Sequence, residues 1–445
     1  MGSSLTMRPA LITAGAAAIK MSTVSCGNRS HAMLTRSRGC FHRSRAVAGG
    51  CRGRMFENSQ LPLLLSVTRI AAGRQTRKRS LTTIIPRKYH PATVVESSTV
   101  RSAAIPKKDC QDRMLSKYRG CLLGALVGDC LGRMFEGARP PLQVAEIEAA
   151  IAKQKEHSLP STDDTAMCHA IAESLIRCGH FDARNMAKSF VDKYEDEWTK
   201  QFMYTVGVKV IFAIWQANHF AGDVFSPARQ QFDGRGSFCN GGGVRIASVP
   251  LFCGNRREET VEIARLSTQL THNHPLGYNG AILQALAVHL ALHSDTPDGE
   301  SLLDALIDFA SDSLETNERK KLYTNRLRIA KMLLNDANAT QKDVIEKMEH
   351  SVNMLALDAI PMAIFCAARA LRPITGIETD NPFARTILYA ISMGGDTEAI
   401  ATMAGAISGA WLGVQNIQWE DLCEAPAETL KLADRLHECA YTTID

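Results

Sequence analysis

The stretch GCLLGALVGDCLG, residues 120–132, carries a glycine at every fourth position. Because residues four apart lie on one face of an α-helix, this spacing predicts a helix with one face made of glycine. A second stretch, ATMAGAISGAWLG at residues 401–413, repeats the spacing with Ala401, Gly405, Gly409 and Gly413. A glycine inside a helix costs about 1 kcal/mol relative to alanine. Glycines in register therefore predict that another backbone approaches each helix closely, and tight packing in a compact core is the simplest interpretation.

From about Lys108 onward, apolar residues recur at intervals of three and four positions, which is the period of an amphipathic helix. Alternating strand patterns are scarce, and the best of them, residues 244–251, is interrupted by Pro250. The sequence thus predicts one all-α domain of many helices over residues 109–445. No apolar run reaches the about 18 uncharged residues of a spanning helix, so no membrane protein is expected. The helical sets are Met167, Ile171, Leu175; Val206, Val210, Ile214; Ile263, Leu266, Leu270; Ile282, Leu286, Leu290; and Leu302, Leu306, Phe309.

The first hundred residues differ from the rest in charge. They contain 16 Lys and Arg against two acidic residues, whereas the remaining 345 contain 35 basic and 44 acidic residues. An Arg-rich, Ser-rich, acid-poor segment is typical of a mitochondrial transit peptide. Residues 1–108 are therefore predicted to be a basic, largely disordered targeting extension, with the mitochondrial matrix as first address and cytosol and nucleus as alternatives. The run Arg74, Arg77, Lys78 and Arg79 could instead bind nucleic acid, but direct nucleic-acid binding is not expected.

The thirteen cysteines include no C-x-x-C pair and no zinc-binding spacing. Several lie among apolar residues of predicted helices, as Cys121, Cys168 and Cys366 do. This pattern indicates small buried hydrophobic residues in a reducing compartment rather than a disulfide framework.

Two acidic clusters each stand at the start of a predicted helix. The segment STDDT, residues 161–165, precedes the helix predicted from Ala166 to Ile176, and GGDTE, residues 394–398, leads into the second glycine-lined helix. Capping of the helix N-terminus explains one such residue in each segment. The surplus of carboxylate and hydroxyl oxygens suits a hard cation such as Mg²⁺. The two helix ends could meet and share metal ions, or they could be unrelated caps.

A glycine-rich segment, FDGRGSFCNGGG at residues 232–243, contains five glycines. It predicts a loop whose exposed backbone N–H groups approach a ligand closely, and such groups bind phosphate well. The segment is not a Rossmann fingerprint, because no strand precedes it, and it lacks the Gly-Lys-Ser/Thr of a P-loop. His272 and His274 are a weaker signal, since two histidines this close are more often incidental than ligands.

In this order, the motifs resemble those of the ADP-ribosylglycohydrolase family. The resemblance extends from about Tyr118 to Leu412 and includes the long segment from Leu266 to Leu292. It implies a single compact orthogonal multi-helix domain with two Mg²⁺ ions at the base of an ADP-ribose cleft. It also implies a hydrolase, closest to the branch of the family that releases ADP-ribose from serine and from poly(ADP-ribose).

The resemblance assigns roles residue by residue. It implies metal ligands at Glu136, Thr162, Asp163, Asp164, Asp396 and Glu398. It implies catalytic roles for Glu136, Asp163 and Asp164, with Glu136 matching a flap glutamate that gates the cleft. The implied substrate contacts are Asp163, Phe232, Arg235, Gly236, Ser237, Phe238, Cys239, Asn240, Gly241, His272 and Met354. Among these, the loop from Arg235 to Gly241 would hold the diphosphate and distal ribose, and Phe232 and Met354 would lie near the adenosine.

Three positions depart from the family's pattern. Glu398 stands where the family has aspartate, Ala399 where it has a hydroxyl ligand, and Phe238 where it has tyrosine. Glutamate is one methylene longer than aspartate, and an alanine side chain cannot coordinate a cation. The first two departures therefore predict a weakened second metal site, or a site for one ion.

The implied reaction is hydrolysis of the C1″ glycosidic bond that joins ADP-ribose to a protein serine, to another ADP-ribose or to acetate. The partners would be ADP-ribosylated proteins, poly(ADP-ribose) and ADP-ribose, and the enzyme would be a monomer. A non-catalytic ADP-ribose reader and a structural protein that reuses the fold are alternatives, which the presence of Glu136, Asp163, Asp164 and Asp396 disfavours. Hydrolysis of ADP-ribosyl-arginine is a further alternative, disfavoured by the match in the glycine loop and flap.

Overall fold

The computed structural model describes residues 107–195, 205–315, 321–349 and 354–442. Within these ranges the chain forms seventeen α-helices and, in place of strands, only isolated β-bridges, which confirms the all-α prediction. The predicted basic extension lies outside the described residues up to residue 106. The helices are α1 (Lys107–Gly132), α2 (Val144–Ile151), α3 (Asp163–Cys178), α4 (Ala183–Glu195), α5 (Val206–Ala217), α6 (Ser226–Gly234), α7 (Gly241–Val244), α8 (Ser248–Cys253), α9 (Arg257–Gln269), α10 (Pro275–His293), α11 (Gly299–Phe309), α12 (Leu322–Leu334), α13 (Gln341–Lys347), α14 (Ala356–Arg369), α15 (Pro382–Ser392), α16 (Thr397–Leu412) and α17 (Pro426–Thr442).

The two glycine-lined helices, α1 and α16, pack directly on each other in antiparallel directions. A Cβ atom added at Gly120 would lie 2.5 Å from the Gly409 carbonyl oxygen, and one added at Gly132 would lie 2.6 Å from the Thr397 carbonyl oxygen. Between these ends, a Cβ added at Gly124 would collide with the backbone of Gly405. Each glycine row is therefore the partner of the other. The spacing predicted the close approach of a backbone, and the structure identifies which backbone it is.

This pairing determines which helix ends meet. The C-terminal end of α1 lies beside the N-terminal end of α16, where the Thr397 hydroxyl donates a hydrogen bond to the Gly132 carbonyl at 2.8 Å. The start of α3 is hydrogen-bonded to α1 through Asp129. The acidic starts of α3 and α16 are thus brought to the same end of α1.

A layer of further helices encloses the α1–α16 pair. α16 packs against α10, α14 and α15, and α17 packs against α1. α10 is buried along most of its length and apolar around most of its circumference, as expected of a helix at the centre of a large domain. The N-termini that carry the acidic clusters therefore sit on a rigid scaffold rather than on mobile loops.

Two sequence interpretations differ from the structure. In α5, Val210 and Ile214 are exposed, and the core is contacted instead by Ile211, Phe212 and Trp215. Both sets fit a helical period, and the large aromatic side chains decide which face turns inward. Residues 244–251, the best strand pattern, lie instead in and between the short helices α7 and α8.

The cysteines and the helices agree with the compositional analysis. The nine cysteines whose side chains are described are free thiols, and Cys121, Cys168 and Cys366 are buried. A search of the described helices for a segment both long enough and apolar enough to cross a membrane finds none.

We predict that Gly124→Ala lowers the free energy of unfolding by about 1–3 kcal/mol, because the added methyl group overpacks the contact with Gly405. This cost exceeds the gain in helix propensity of about 1 kcal/mol. Gly207→Ala in α5 is the control, since its Cβ would meet only the end of the Gln231 side chain, at 3.0 Å. Its stability should stay within about 1 kcal/mol of the wild type, the size of the gain in helix propensity. Urea denaturation followed by circular dichroism measures both. A Gly124→Ala protein as stable as the wild type would contradict the close packing of α1 on α16.

Candidate functional site

The acidic turn at the start of α3 is held in place by Asp129 of α1. Asp129 is fully buried, and its Oδ2 accepts hydrogen bonds from the Thr162 N–H at 2.9 Å, the Thr165 N–H at 3.3 Å and the Thr165 hydroxyl at 2.5 Å. Thr162 caps the helix, since its hydroxyl oxygen accepts from the Asp164 N–H at 3.2 Å. The helix therefore begins at Asp163, earlier than predicted, and both aspartates fall in its first turn.

α16 begins in a similar way, with Asp396 as its N-cap. One carboxylate oxygen of Asp396 accepts from the Ala399 N–H at 3.3 Å, and the other accepts from the Asn240 side-chain amide at 2.7 Å. The second bond links the start of α16 to the glycine-rich segment. Asp396 thus connects two of the motifs that the sequence singled out.

The two glycines before Asp396 bring a third segment to the site. Gly395 accepts from the Gly137 N–H and donates to the Ala138 carbonyl, both at 2.9 Å. Gly394 has a φ of +69°, and a Cβ there would lie 2.8 Å from the backbone of Pro140. Only glycine fits this close approach, which ties the segment after Glu136 to the start of α16.

Three carboxylates converge between the two helix ends. Ligand oxygens of Asp163, Asp164 and Glu398 all lie within 4.8 Å of one another. Burial, reinforced by the charges of neighbouring acids, raises the pKa of Asp163 to about 6 and that of Glu398 to about 9, and it raises the pKa of Asp164 well above its ordinary value. A cation among these oxygens would remove the repulsion, and carboxylate oxygens are the ligands that hard divalent cations prefer. The donor set therefore fits a divalent metal ion.

The other predicted metal ligands surround this group without joining it. Asp396 lies outside the three-carboxylate group and is engaged by Ala399 and Asn240. Thr162 is buried next to the group and uses its hydroxyl as a cap. Ala399 lines the same space and contributes no side-chain oxygen.

Glu136 follows a short 3₁₀ turn at the end of α1 and points its carboxylate toward the same place. Its Oε2 accepts a long hydrogen bond of 3.5 Å from the Glu398 N–H. Desolvation in the cleft, and then the charge of Asp396, raise the pKa of Glu136 to about 7. A carboxyl group with such a pKa can donate or accept a proton near neutral pH.

A cleft of ≈ 480 Å³ opens above the acidic group. Its volume lies within the about 300–1,000 Å³ typical of small-molecule sites. Predicted site residues from several separate stretches of the chain meet on its walls. They are Glu136, Thr162, Asp163, Asp164, Cys239, Asn240, Gly241, His272, Met354, Asp396 and Glu398.

Five predicted substrate contacts do not line this cleft: Phe232, Arg235, Gly236, Ser237 and Phe238. They directly precede Cys239 in the chain, the first residue of this segment that lines the cleft. The ring of Phe232, half-exposed, lies 6.1 Å from that of Phe238. Ser237 is buried, and its carbonyl accepts from the His274 N–H at 3.2 Å. Phe232 and Arg235 are therefore exposed next to the cleft wall in sequence, whereas Gly236 and Ser237 are part of the packed interior.

The glycine-rich segment is only partly a loop. Its last three glycines open the short helix α7. The irregular backbone extends from 231 to 240, because Gln231, Phe232 and Asp233 at the end of α6 already have non-helical φ and ψ. Gly236 has a φ of +76°, and a Cβ there would lie 2.7 Å from the backbone of Asn273. The Asn240 N–H donates to the Met354 carbonyl at 2.9 Å. Both contacts fix the wall of the cleft against neighbouring segments.

Some residues of the site were not predicted from the sequence. Arg133, Met167, Thr205, Val208 and Arg245 line the cleft without belonging to any motif. Asp129 could have been found, because it is a carboxylate within an apolar, glycine-lined helix, where a charge needs buried partners. Arg245 gave no comparable signal, since a single arginine that follows a glycine-rich segment fits no motif.

Comparison with known proteins identifies close relatives. The sequence model described as ADP-ribosylglycohydrolase matches residues 110–444. The protein named ADP-ribosylhydrolase ARH3 from Bos taurus is 39% identical over 347 residues, covering 73% of this chain and 93% of that protein. Its counterpart from Homo sapiens is 38% identical, with 73% and 94% covered. A solved structure titled ADP-ribosylglycohydrolase-related protein complex is 20% identical, has a TM-score of 0.54, covers 74% of this chain and 99% of that one, and shares the fold.

We predict that Asp129→Ala destabilises the protein, because the Thr162 and Thr165 donors lose their buried acceptor, at a cost of about 1–3 kcal/mol for each unsatisfied group. Asp129→Asn keeps an acceptor oxygen in place and should lose less. Thermal unfolding of the two variants and the wild type gives the order of stability. If Asp129→Ala unfolds at the wild-type temperature, Asp129 does not hold the acidic turn.

Proposed function

The chain belongs to the ADP-ribosylglycohydrolase family, and from this premise we propose that it is a Mg²⁺-dependent ADP-ribosylhydrolase. Its relatives make it a hydrolase of glycosidic bonds that acts on ADP-ribosylated substrates. The proposed reaction is hydrolysis of the C1″ bond that joins ADP-ribose to a protein serine, to the next unit of poly(ADP-ribose), or to the acetyl group of O-acetyl-ADP-ribose.

One observation carries this proposal. The carboxylates of Asp163, Asp164 and Glu398 converge at the base of a cleft whose wall includes Asn240 and His272. An acidic, cation-fitting floor below a wall of amide and imidazole groups suits a ligand that combines a sugar with a diphosphate. The apolar side chains at the outer edge, such as the half-exposed Met354, suit its adenosine.

The metal would be held mainly by Asp163, Asp164 and Glu398, with Thr162, Asp396 and Glu136 close enough to the cleft to complete its surroundings. When bound, Mg²⁺ supplies positive charge that orients ribose hydroxyl groups and stabilises negative charge as the bond breaks. We propose one tightly bound ion and a weaker second one. The support is that Ala399 has no side-chain oxygen that could coordinate a second ion. In addition, both carboxylate oxygens of Asp396 already accept hydrogen bonds.

The chain's own groups would divide the proton transfers between them. Asp163 or Asp164 would orient the attacking water and accept its proton as the new C1″–O bond forms. Glu136, beside the three-carboxylate group, would protonate the leaving oxygen as the old C1″–O bond breaks. The remaining carboxylates would stabilise the oxocarbenium-like transition state.

Two alternatives differ from this proposal in what they predict. A non-catalytic reader would bind ADP-ribose without turnover at any Mg²⁺ concentration. A hydrolase of ADP-ribosyl-arginine would cleave the arginine linkage in preference to the serine linkage. The convergence of Glu136 with the three-carboxylate group favours an enzyme over a reader, because binding alone needs no acid beside the metal ligands.

For the rest of the chain we propose that residues 1–108 direct the protein to the mitochondrial matrix and that residues 109–445 form the catalytic domain. The support for the first is the composition of the extension, with 16 basic and two acidic residues in the first hundred. The acidic balance of the remaining residues favours a monomer without direct nucleic-acid binding.

We predict that the double variant Asp163→Asn, Asp396→Asn loses at least about 100-fold in the release of ADP-ribose from a serine-ADP-ribosylated peptide with Mg²⁺, because both helix starts lose charge at the floor of the cleft. Asp192→Asn, on the exposed side of α4, is the matched control and should retain full activity. Full activity in the double variant would eliminate the mechanism.

We predict a change in metal stoichiometry for the variant Glu398→Asp, Ala399→Thr, which restores the side chains usual in the family. Titration calorimetry with Mg²⁺ should show one tightly bound ion in the wild type and two in the variant, since threonine adds a hydroxyl ligand. Two ions of equal affinity in the wild type would show that the missing hydroxyl does not weaken the second site.

A further inference from the structure

His272 lies at the end of α9 with its ring on the wall of the cleft. Its backbone N–H donates to the Thr268 carbonyl at 2.8 Å, which continues the helix by one turn. A Cβ added at Gly241 would lie 3.2 Å from His272 Nε2, so this edge of the ring faces the start of α7, where Gly241 lines the cleft. His272 itself is only 5% exposed. The ring is thus placed where it can contact a bound molecule through Nε2.

The opposite edge of the ring ends a chain of hydrogen bonds. Nη2 of Arg245 lies 2.6 Å from the Thr271 hydroxyl oxygen, and that oxygen lies 2.8 Å from His272 Nδ1. A guanidinium group has donors only, so the hydroxyl oxygen must accept from Arg245. The hydroxyl also has one proton to donate. Among the described residues its two partners are Arg245 Nη2, which cannot accept, and His272 Nδ1, so the proton finds an acceptor at Nδ1. In a neutral ring whose Nδ1 is an acceptor, the proton resides on Nε2.

We propose that Arg245 and Thr271 are positioning residues, which hold His272 as the Nε2–H tautomer so that it donates a hydrogen bond to an oxygen of the bound ADP-ribose. The identity of this ligand rests on the proposed function. The side-chain hydrogen bond that His272 makes within the described residues uses Nδ1, which leaves Nε2 available for a ligand. A ligand oxygen in the cleft would satisfy it.

Neighbouring groups hold Arg245, the first member of this series of hydrogen bonds, in place. Arg245 is buried, with its guanidinium 4.6 Å from the centre of the Phe190 ring, and its Nη2 also donates to the Ser267 carbonyl at 3.3 Å. Burial and then the Arg245 charge lower the pKa of His272 to about 3. The ring therefore stays neutral, and its tautomer alone decides whether Nε2 donates or accepts. The other tautomer would direct a lone pair at the ligand's oxygens and repel them.

The tautomer can be measured without any ligand. Nitrogen-15 spectra of the histidine-labelled full chain distinguish a protonated from an unprotonated ring nitrogen, and a His272→Gln sample assigns the signals. For the wild type we expect an unprotonated Nδ1 and a protonated Nε2 at His272. A protonated Nδ1 would overturn the proposal, whatever the protein binds.

Two threonine variants test what fixes the tautomer. Thr271→Val removes the hydroxyl but keeps the shape, and we expect mixed tautomers and about 10-fold weaker binding of ADP-ribose in calorimetry, the effect of one hydrogen bond to a charged or polar acceptor. Thr271→Ser should restore both the spectrum and the affinity. The matched control is Thr268→Val in the preceding turn, since the hydroxyl of Thr268 is buried without a partner among the described residues; it should resemble the wild type.

The outcomes separate this inference from the proposed function. Equal losses in Thr271→Val and Thr268→Val, with an unchanged tautomer in both, would mean that Thr271 has only a structural role. If the wild type binds no ADP-ribose, the proposed function fails, while the spectra of the free protein still decide whether Arg245 and Thr271 set the tautomer.

Discussion

The contact between the backbones of α1 and α16 determines where the acidic residues of this protein meet. Because glycines occupy most of the facing positions on both helices, their backbones come into direct contact and the two axes approach more closely than ordinary helices can. The C-terminal end of α1 is then beside the first turn of α16, and Asp129 of α1 binds the first turn of α3. Two helix starts that are more than two hundred residues apart in sequence therefore share one cleft.

This arrangement concentrates negative charge where water is scarce. Burial and the repulsion between neighbouring carboxylates therefore raise the pKa values of Glu136, Asp163 and Glu398. The positive ends of two helix dipoles reduce part of the repulsion, and a bound cation would remove much of the rest. Helix capping alone does not require the carboxylates of two different helices to lie close together. The geometry thus explains why the capping residues here include more carboxylates than capping requires.

The sequence predicted most of the fold and most of the cleft, for a physical reason in each case. Helical periods, glycine spacing and N-capping are local properties, so the all-α class, the α1 and α16 glycine faces and the acidic helix starts could be read from residues close together in the chain. Burial depends on the whole domain, so the exposed side of α5, with Val210 and Ile214, was not predictable from its period. Arg245 and Asp129 act through partners distant in sequence. No local pattern indicated Arg245, and the apolar helix around Asp129 indicated only that its carboxylate needs buried partners, not which ones.

Anomalous diffraction from crystals grown with Mn²⁺, which replaces Mg²⁺ in sites built from oxygen ligands, tests the central claim most directly. The account predicts a manganese peak coordinated at once by carboxylates of α3, from Asp163 or Asp164, and by Glu398 of α16. Manganese bound to residues of one helix only, or found away from this cleft, would contradict the claim that the two helix starts form a single metal site.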